Sequence, residues 1–201
     1  MMSRRTLIAL LVLAASTAAG CVFSNSPPTR YFAPRSTFLL PEEAQPPITA
    51  GERTVRVRRV RAAAYIGQAI VWRVSDVERG LYEQRRWTEF PTRYLDRAVV
   101  EAIDRMPDMQ TVDTGLVPTL DLELVSFDEV VGPERAAEVS VVASFNAADQ
   151  SPVFDQLFTA RQPIADTDPA STARAMGAAL DDVVQQIADQ VAASAPMVSR
   201  K

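Results

Sequence analysis

The amino-acid sequence predicts an α+β (α/β) fold: a mixed, largely antiparallel sheet of about five to six strands with two helices packed on one face. Three observations predict it. Segments with a two-residue hydrophobic period lie on both sides of a segment with a helical period, and a second helical segment follows near the end. The 201-residue chain is also long enough for one domain with a buried core.

The predicted domain, residues 53–195, begins with strands. Residues 54–60 alternate valine with arginine, which is typical of a half-buried strand. Residues 68–75 predict a second strand. We expect Gly80 to turn the chain so that residues 81–82 pair back in a hairpin.

A helix and an antiparallel meander follow. Apolar residues recur at helical spacing from about Thr92 to Met106, and Pro107 ends the pattern. Three further strands are predicted at residues 119–130, 137–146 and 153–161. The turn sequences at residues 132–133 and 149–152 separate them, which favours a meander.

The second helix has the clearest signals. Asp168 is a good N-cap, Pro169 suits the first helical position, and Pro196 stops the pattern. The apolar stripe of this helix comprises Met176, Leu180, Val183, Val184, Ile187 and Val191. Two such helices on one face would bury both stripes, while the alternating strands leave the other face wet or covered by a partner.

The N-terminal segment, residues 1–20, is typical of a bacterial export signal. Arg4 and Arg5 precede an apolar run that turns small at Ala18-Ala19-Gly20-Cys21. The run is well short of the roughly 20 residues that a transmembrane helix needs. Small residues directly before the only cysteine resemble a lipobox, although Ala18 stands where leucine is more common. The resemblance implies cleavage before Cys21 and lipidation of its thiol, whereas the alternative is an ordinary secretory signal.

Residues 21–52 are predicted to form a lipidated, proline-rich tether. Six prolines and little hydrophobic periodicity indicate an extended segment. Two short apolar groups, residues 31–32 and 38–40, are suited to packing onto the domain. Part of the tether is therefore expected to dock as an edge strand.

Composition excludes several classes of function. The chain has no histidine, which removes serine and cysteine catalytic triads and histidine metal ligands. The seven glycines form no phosphate-binding loop, and a net charge of −4 gives no electrostatic reason to bind nucleic acid. The acid pairs Asp128-Glu129 and Asp181-Asp182 lack the spacing of a calcium loop. The sequence predicts no enzyme, no metal site and no cofactor.

Four local motifs resemble one family in their order and spacing. They are Thr29-Arg30-Tyr31-Phe32, the strand 55–60 followed by Ala64-Tyr65, Trp87-Thr88-Glu89-Phe90-Pro91, and Phe127-Asp128. This arrangement resembles the ABC-type transport auxiliary lipoproteins (the PqiC-like family). Phe90 departs from the pattern, because the family usually has proline directly after the acid.

The resemblance implies a non-catalytic component of a lipid-transport system. Such a system has a permease, an ATPase and a periplasm-spanning protein with a mammalian-cell-entry (MCE) domain, which the lipoprotein would bind. Val22 follows the cysteine where inner-membrane lipoproteins carry aspartate, which implies the periplasmic face of the outer membrane. The alternative is a carrier lipoprotein that itself holds a phospholipid acyl chain. A periplasmic hydrolase is disfavoured, because it would need a serine or carboxylate mechanism without histidine.

Two groups of residues are candidates for partner binding. The first is a basic edge, Arg56, Arg58, Arg59 and Arg61, which suits acidic lipid heads or an acidic partner. The second is an aromatic group, Tyr82, Trp87 and Phe90 together with Tyr94. The alternatives are a solvated strand face for the arginines, and for the aromatic residues a core cluster that pins the hairpin to the first helix.

Overall fold

The structure, a computed structural model, describes residues 27–39 and 53–195. These residues form nine strands and two helices, which are β1 (Arg30–Phe32), β2 (Arg53–Val57), β3 (Arg61–Ala62), β4 (Ala69–Arg73), β5 (Arg79–Trp87), α1 (Pro91–Asp104), β6 (Met109–Thr111), β7 (Thr119–Val130), β8 (Ala136–Asn146), β9 (Pro152–Pro163) and α2 (Pro169–Ser194). The predicted class is confirmed. The predicted strand number is wrong, because the sheet has nine strands rather than five or six.

The extra strands arise along one edge of β7. Three short strands, β2, β3 and β4, run parallel to β7 one after another along that edge. Between these strands the chain leaves the β7 ladder. Three strands therefore stand where the sequence predicted two, at residues 54–60 and 68–75. β1 and β6 add one short parallel strand each, beside β5 and β2. Strands of two or three residues are too short to show a hydrophobic period.

Antiparallel pairing supplies the long ladders. β7, β8 and β9 form the predicted meander, and β9 is one edge of the sheet in the described part of the chain. β4 and β5 form the predicted hairpin, but its turn lies at residues 74–78. Gly80 instead lies within β5 opposite Trp72, where an added Cβ would overlap the indole ring. Close approach, rather than a turn, explains this glycine.

Both helices contribute to one core. α2 packs on β8 and β9, and α1 packs against α2, β6 and β7. The predicted stripe of α2 is fully buried from Met176 to Val191. The Asp168 carboxylate accepts a hydrogen bond from the Ala170 amide at 3.1 Å, which caps α2 as predicted. Each large apolar side chain buried in this way contributes roughly 1.5–3 kcal/mol.

Part of the predicted tether belongs to this domain. After β1, residues 33–39 cross α2 and reach α1, and we call them the strap. The Arg35 amide donates to Ala173 O at 3.3 Å, and the amide and hydroxyl of Thr37 each donate to Asp181 Oδ2 at 2.8 Å. Phe38 and Leu39 pack on the core. Of the apolar tether residues expected to dock, Phe32, Phe38 and Leu39 pack on the core, and residues 30–32 form the expected edge strand beside β5, whereas the Tyr31 side chain is exposed.

Candidate functional site

Two arginines of the basic edge are neutralised by acids on β7. Arg58 lies 3.5 Å from Asp121, and Arg61 lies 3.8 Å from Glu123. All four side chains are at least partly exposed, and such surface pairs contribute about 1 kcal/mol or less. For Arg58 and Arg61 the structure therefore favours the alternative interpretation, in which they belong to a solvated strand face and do not bind a partner. Arg56 lies opposite Thr119 on the same strand pair.

Arg59 has a different environment. Its side chain is exposed, and no carboxylate in residues 27–39 and 53–195 lies within ion-pair distance of it. It lines a surface cleft of about 670 Å³ formed by Arg59, Val60, Phe90, Thr92, Arg93 and Asp96. We call this the Arg59 cleft. It brings together one predicted arginine and one predicted aromatic residue.

Local structure places both residues at the cleft. Val60, 7% exposed, inserts into the core between β2 and β3, so that the adjacent Arg59 lies at the surface. Phe90 is the N-cap of α1 in extended conformation, and Pro91 begins the helix. The Phe90 side chain makes no capping hydrogen bond, and 53% of the residue is exposed.

The cleft is electropositive. Arg93, in the first turn of α1, is exposed and has no ion-pair partner among the described residues. Asp96 and Glu89 are the acids nearest to Arg93 in sequence, and Arg97 holds Glu89 by two hydrogen bonds of 2.7 and 3.0 Å. These hydrogen bonds lower the pKa of Glu89. The cleft is therefore lined by one acid, Asp96, and by two arginines, Arg59 and Arg93, that form no ion pair within the described residues.

The predicted aromatic patch does not exist as one surface. Trp87 is 0% exposed and packs edge-to-face on Phe127 with ring centroids 5.3 Å apart. Tyr94 is buried, and its hydroxyl is hydrogen-bonded to Thr88 at 2.7 Å. The assignment of Trp87 to a partner surface is therefore corrected to a core role. Tyr82 is half-buried, which leaves Phe90 as the exposed member.

The acid pair at the end of β7 is a structural network. Glu129 is fully buried on the helix side, where it pairs with Arg135 and accepts from the Thr172 hydroxyl at 3.2 Å. It thereby joins β7 to the start of β8 and to the first turn of α2. The sequence predicted no role for Asp128 and Glu129. Their position within a predicted strand, where two adjacent residues point to opposite faces, was the signal that one of the acids is buried against the helices.

Asp128 points to the opposite face of the sheet and is also fully buried. Its Oδ2 lies 3.6 Å from Arg73 Nε and 3.9 Å from Arg79. Burial raises the pKa of Asp128, and the two arginines offset this only in part. Arg73 continues the network to Glu138 at 2.5 Å.

Residues 27–39 and 53–195 contain no group of three acidic side chains that could hold a metal ion. Neither helix in those ranges combines the length and the apolar character that crossing a membrane requires. Cys21, the predicted lipidation site, lies outside the described residues.

The fold of this chain is found in other proteins of known structure. Two solved structures are similar in fold: protein XCC0632 from Xanthomonas campestris (TM-score 0.68, 21% identity, covering 83% of this chain and 95% of that one) and hypothetical protein CT253 from Chlamydia trachomatis (0.53, 8%, 73% and 98%). These likenesses show the fold alone. No curated protein matches the chain in sequence.

A sequence profile matches most of the domain. It is the profile of the ABC-type transport auxiliary lipoprotein component, and the match covers residues 38–188. The matched range begins in the strap and ends in α2, so it includes the Arg59 cleft and the buried acid network. The chain therefore belongs to the family of ABC-type transport auxiliary lipoproteins, which are proteins of the cell envelope.

Proposed function

We propose that this protein is a non-catalytic adaptor on the periplasmic face of the outer membrane, where it binds the periplasm-spanning MCE protein of an ABC-type lipid transporter. The observation that carries the proposal is the Arg59 cleft, with two free arginines beside an exposed phenylalanine, in a chain of the auxiliary lipoprotein family. Lipidated Cys21 would supply the anchor, with Val22 in place of the aspartate of inner-membrane lipoproteins.

The composition of the cleft suits a protein partner. Arginine and aromatic residues are enriched among the side chains that dominate interface energies. Arg59 and Arg93 form no ion pair within the described residues, so an incoming carboxylate would gain charge-assisted hydrogen bonds without breaking an existing pair. We therefore expect the bound segment of the MCE protein to present an acidic residue next to an apolar one.

A lipid carrier is the alternative proposal, and the packing favours it less. A carrier needs room for an acyl chain between helix and sheet. In the described domain this interface is filled by side chains that are 0% exposed, among them Met176, Leu180 and Ile187 of α2 and Phe145 of β8. The Arg59 cleft is lined largely by polar and charged side chains, which suits a headgroup or a peptide better than an acyl chain.

Charge reversal tests the cleft. The variant Arg59→Glu/Arg93→Glu should weaken capture of the purified MCE protein at least about tenfold, which corresponds to about 1.4 kcal/mol. The matched control is Arg58→Glu/Arg61→Glu, which changes charge equally at arginines that already have partners on β7. Capture that is unchanged in the cleft variant, or equally reduced in both variants, would refute this binding site.

The anchor is tested separately. Cys21→Ser should move the protein from the outer-membrane fraction to the soluble periplasmic fraction in a density gradient. Its melting temperature should match that of the wild-type domain, because Cys21 precedes every described residue. A serine variant that stays in the membrane fraction would contradict lipid anchoring.

A further inference from the structure

The path from Cys21 to the folded domain is short. Residues 21–29 precede β1, and β1 and the strap are held against β5, α2 and the core. Consecutive residues span at most about 3.6 Å each, so Cys21 and Arg30 can be no more than about 32 Å apart. A lipid on Cys21 would therefore keep β1 close to the membrane, well within the reach expected for a 32-residue tether.

The edge nearest to this path is basic. Arg30 and Tyr31 of β1 lie opposite Arg85 and Arg86 of β5 in parallel register. We call these four residues the anchor edge. Tyr31 is 61% exposed, Arg30 is exposed, and the other two arginines are partly exposed.

The charges of the anchor edge are not neutralised internally. None of its three guanidinium groups lies within ion-pair distance of a carboxylate in the described ranges. Two of them rest on aromatic rings instead: Arg30 lies 5.2 Å from the ring centre of Phe32, and Arg85 lies 4.2 Å from that of Tyr82. The acid on the same strand, Glu83, is exposed and forms no ion pair with them.

This combination suits a membrane surface. Arginines near an anionic leaflet are attracted to lipid phosphates, and the attraction falls off within a Debye length. A tyrosine carries an apolar ring and a polar tip, which suits the boundary between headgroups and acyl chains. The limit of about 32 Å on the path from Cys21 brings the anchor edge within reach of that surface.

The opposite edge of the sheet has a different position. β9 is separated from β1 by β5, β4, β7 and β8, so the two edges are five strand spacings, or roughly 24 Å, apart. Leu157 on β9 is 57% exposed and provides a site for a reporter there. The two edges can therefore be distinguished by a probe of membrane proximity.

We propose that the anchor edge lies against the anionic phospholipid surface and thereby orients the domain on its membrane. The proposal rests on the lipid anchor at Cys21 put forward above. The ligand is the phosphate of a membrane lipid, contacted by Arg30, Arg85 and Arg86, with Tyr31 at the headgroup level. The edge at β9 then faces away from the membrane.

Fluorescence quenching tests this orientation in the full-length lipidated protein. Cys21 is the only cysteine and is acylated in this form, so a cysteine introduced at Gln84 or at Leu157 is the only free thiol for a fluorophore. Each labelled protein is reconstituted in vesicles of phosphatidylethanolamine and phosphatidylglycerol that contain a headgroup spin-labelled lipid. The label at Gln84, beside the anchor edge, should be quenched several-fold more than the label at Leu157.

Charge variants and neutral vesicles complete the test. Arg30→Glu/Arg86→Glu should reduce the difference between the two labels to the smaller value that the tether alone imposes, as should vesicles of phosphatidylcholine alone, while flotation with the vesicles persists. A difference that neither change reduces would overturn the contact with lipid phosphate. Arg161→Glu, a charge reversal on β9, should leave the difference intact. Equal quenching of both labels in anionic vesicles, or stronger quenching at Leu157, would overturn the orientation and leave the anchor standing. Failure of the lipidated protein to float would overturn the anchor and the orientation together.

Discussion

Replacement of Gly177 by alanine should destabilise the protein, although alanine is the better helix former. In a helix interior the change ordinarily stabilises by about 1 kcal/mol. Here a Cβ would lie 2.6 Å from the amide nitrogen of Arg35, and closer still to the carbonyl group of that residue. Because these atoms are backbone, no side-chain rotation relieves the overlap, and the strap has to move.

The magnitude follows from the contacts that such a movement breaks. The hydrogen bond from Arg35 to Ala173 and the two from Thr37 to Asp181 would be lost, at about 1 kcal/mol each. The intrinsic preference of the helix for alanine offsets about a third of this loss. We expect a net loss of about 2 kcal/mol, or roughly 4–8 °C in melting temperature for a domain of this size.

Urea denaturation followed by circular dichroism measures this loss, and a double-mutant cycle assigns it to the strap. Asp181→Ala removes the acceptor of both Thr37 hydrogen bonds and should by itself loosen the strap. In that background Gly177→Ala should cost clearly less than in the wild type, because part of the strap is already released. Stabilisation of the wild-type chain by Gly177→Ala, or strict additivity with Asp181→Ala, would refute the reasoning.

Two further predictions concern the corrected site residues and the buried acid. Trp87→Ala should lower the free energy of unfolding by about 3–5 kcal/mol, because Trp87 is fully buried. Phe90→Ala should change the free energy of unfolding by less than about 0.5 kcal/mol and should reduce capture of the MCE protein. Equal losses of stability in urea denaturation would contradict the assignment of Trp87 to the core and Phe90 to the surface. Since burial raises the pKa of Asp128, the folded state retains a proton that the unfolded state loses near pH 4. The stability contribution of this proton is fully present below about pH 4 and is lost as the pH rises through the raised folded pKa. The free energy of unfolding of the wild type relative to Asp128→Asn should therefore fall over that window, and a difference that stays flat or rises with pH would count against the burial effect.

Local patterns predicted the longer elements well. The stripe and cap of α2, the helical spacing of α1 and the turn sequences between β7, β8 and β9 are all visible within short windows of sequence. The short strands β3 and β6 were missed as separate elements, because two or three residues cannot show a period, and β1 was expected only as an edge strand of the tether. Their pairing depends on edges that β5, β7 and β2 offer.

The candidate site was predicted only in its components. Arg58 and Arg59 are neighbours in sequence with the same charge, yet Arg58 faces Asp121 and Arg59 has no such partner in the described domain. Trp87 and Phe90 are equally apolar, yet one is buried in the core and the other is exposed at the Arg59 cleft. In both cases the deciding neighbour comes from a distant segment of the chain.

The sequence by itself determined the α+β class, the two amphipathic helices, the expectation of an exported lipoprotein and the exclusion of histidine chemistry. These properties depend on composition and on patterns within a few residues. Only the tertiary structure decided which arginines are neutralised, which aromatic residue is exposed, and that the strap shortens the path from Cys21 to the domain. These features depend on strand register and on packing between elements far apart in the chain, and a local hydrophobic period does not carry that information.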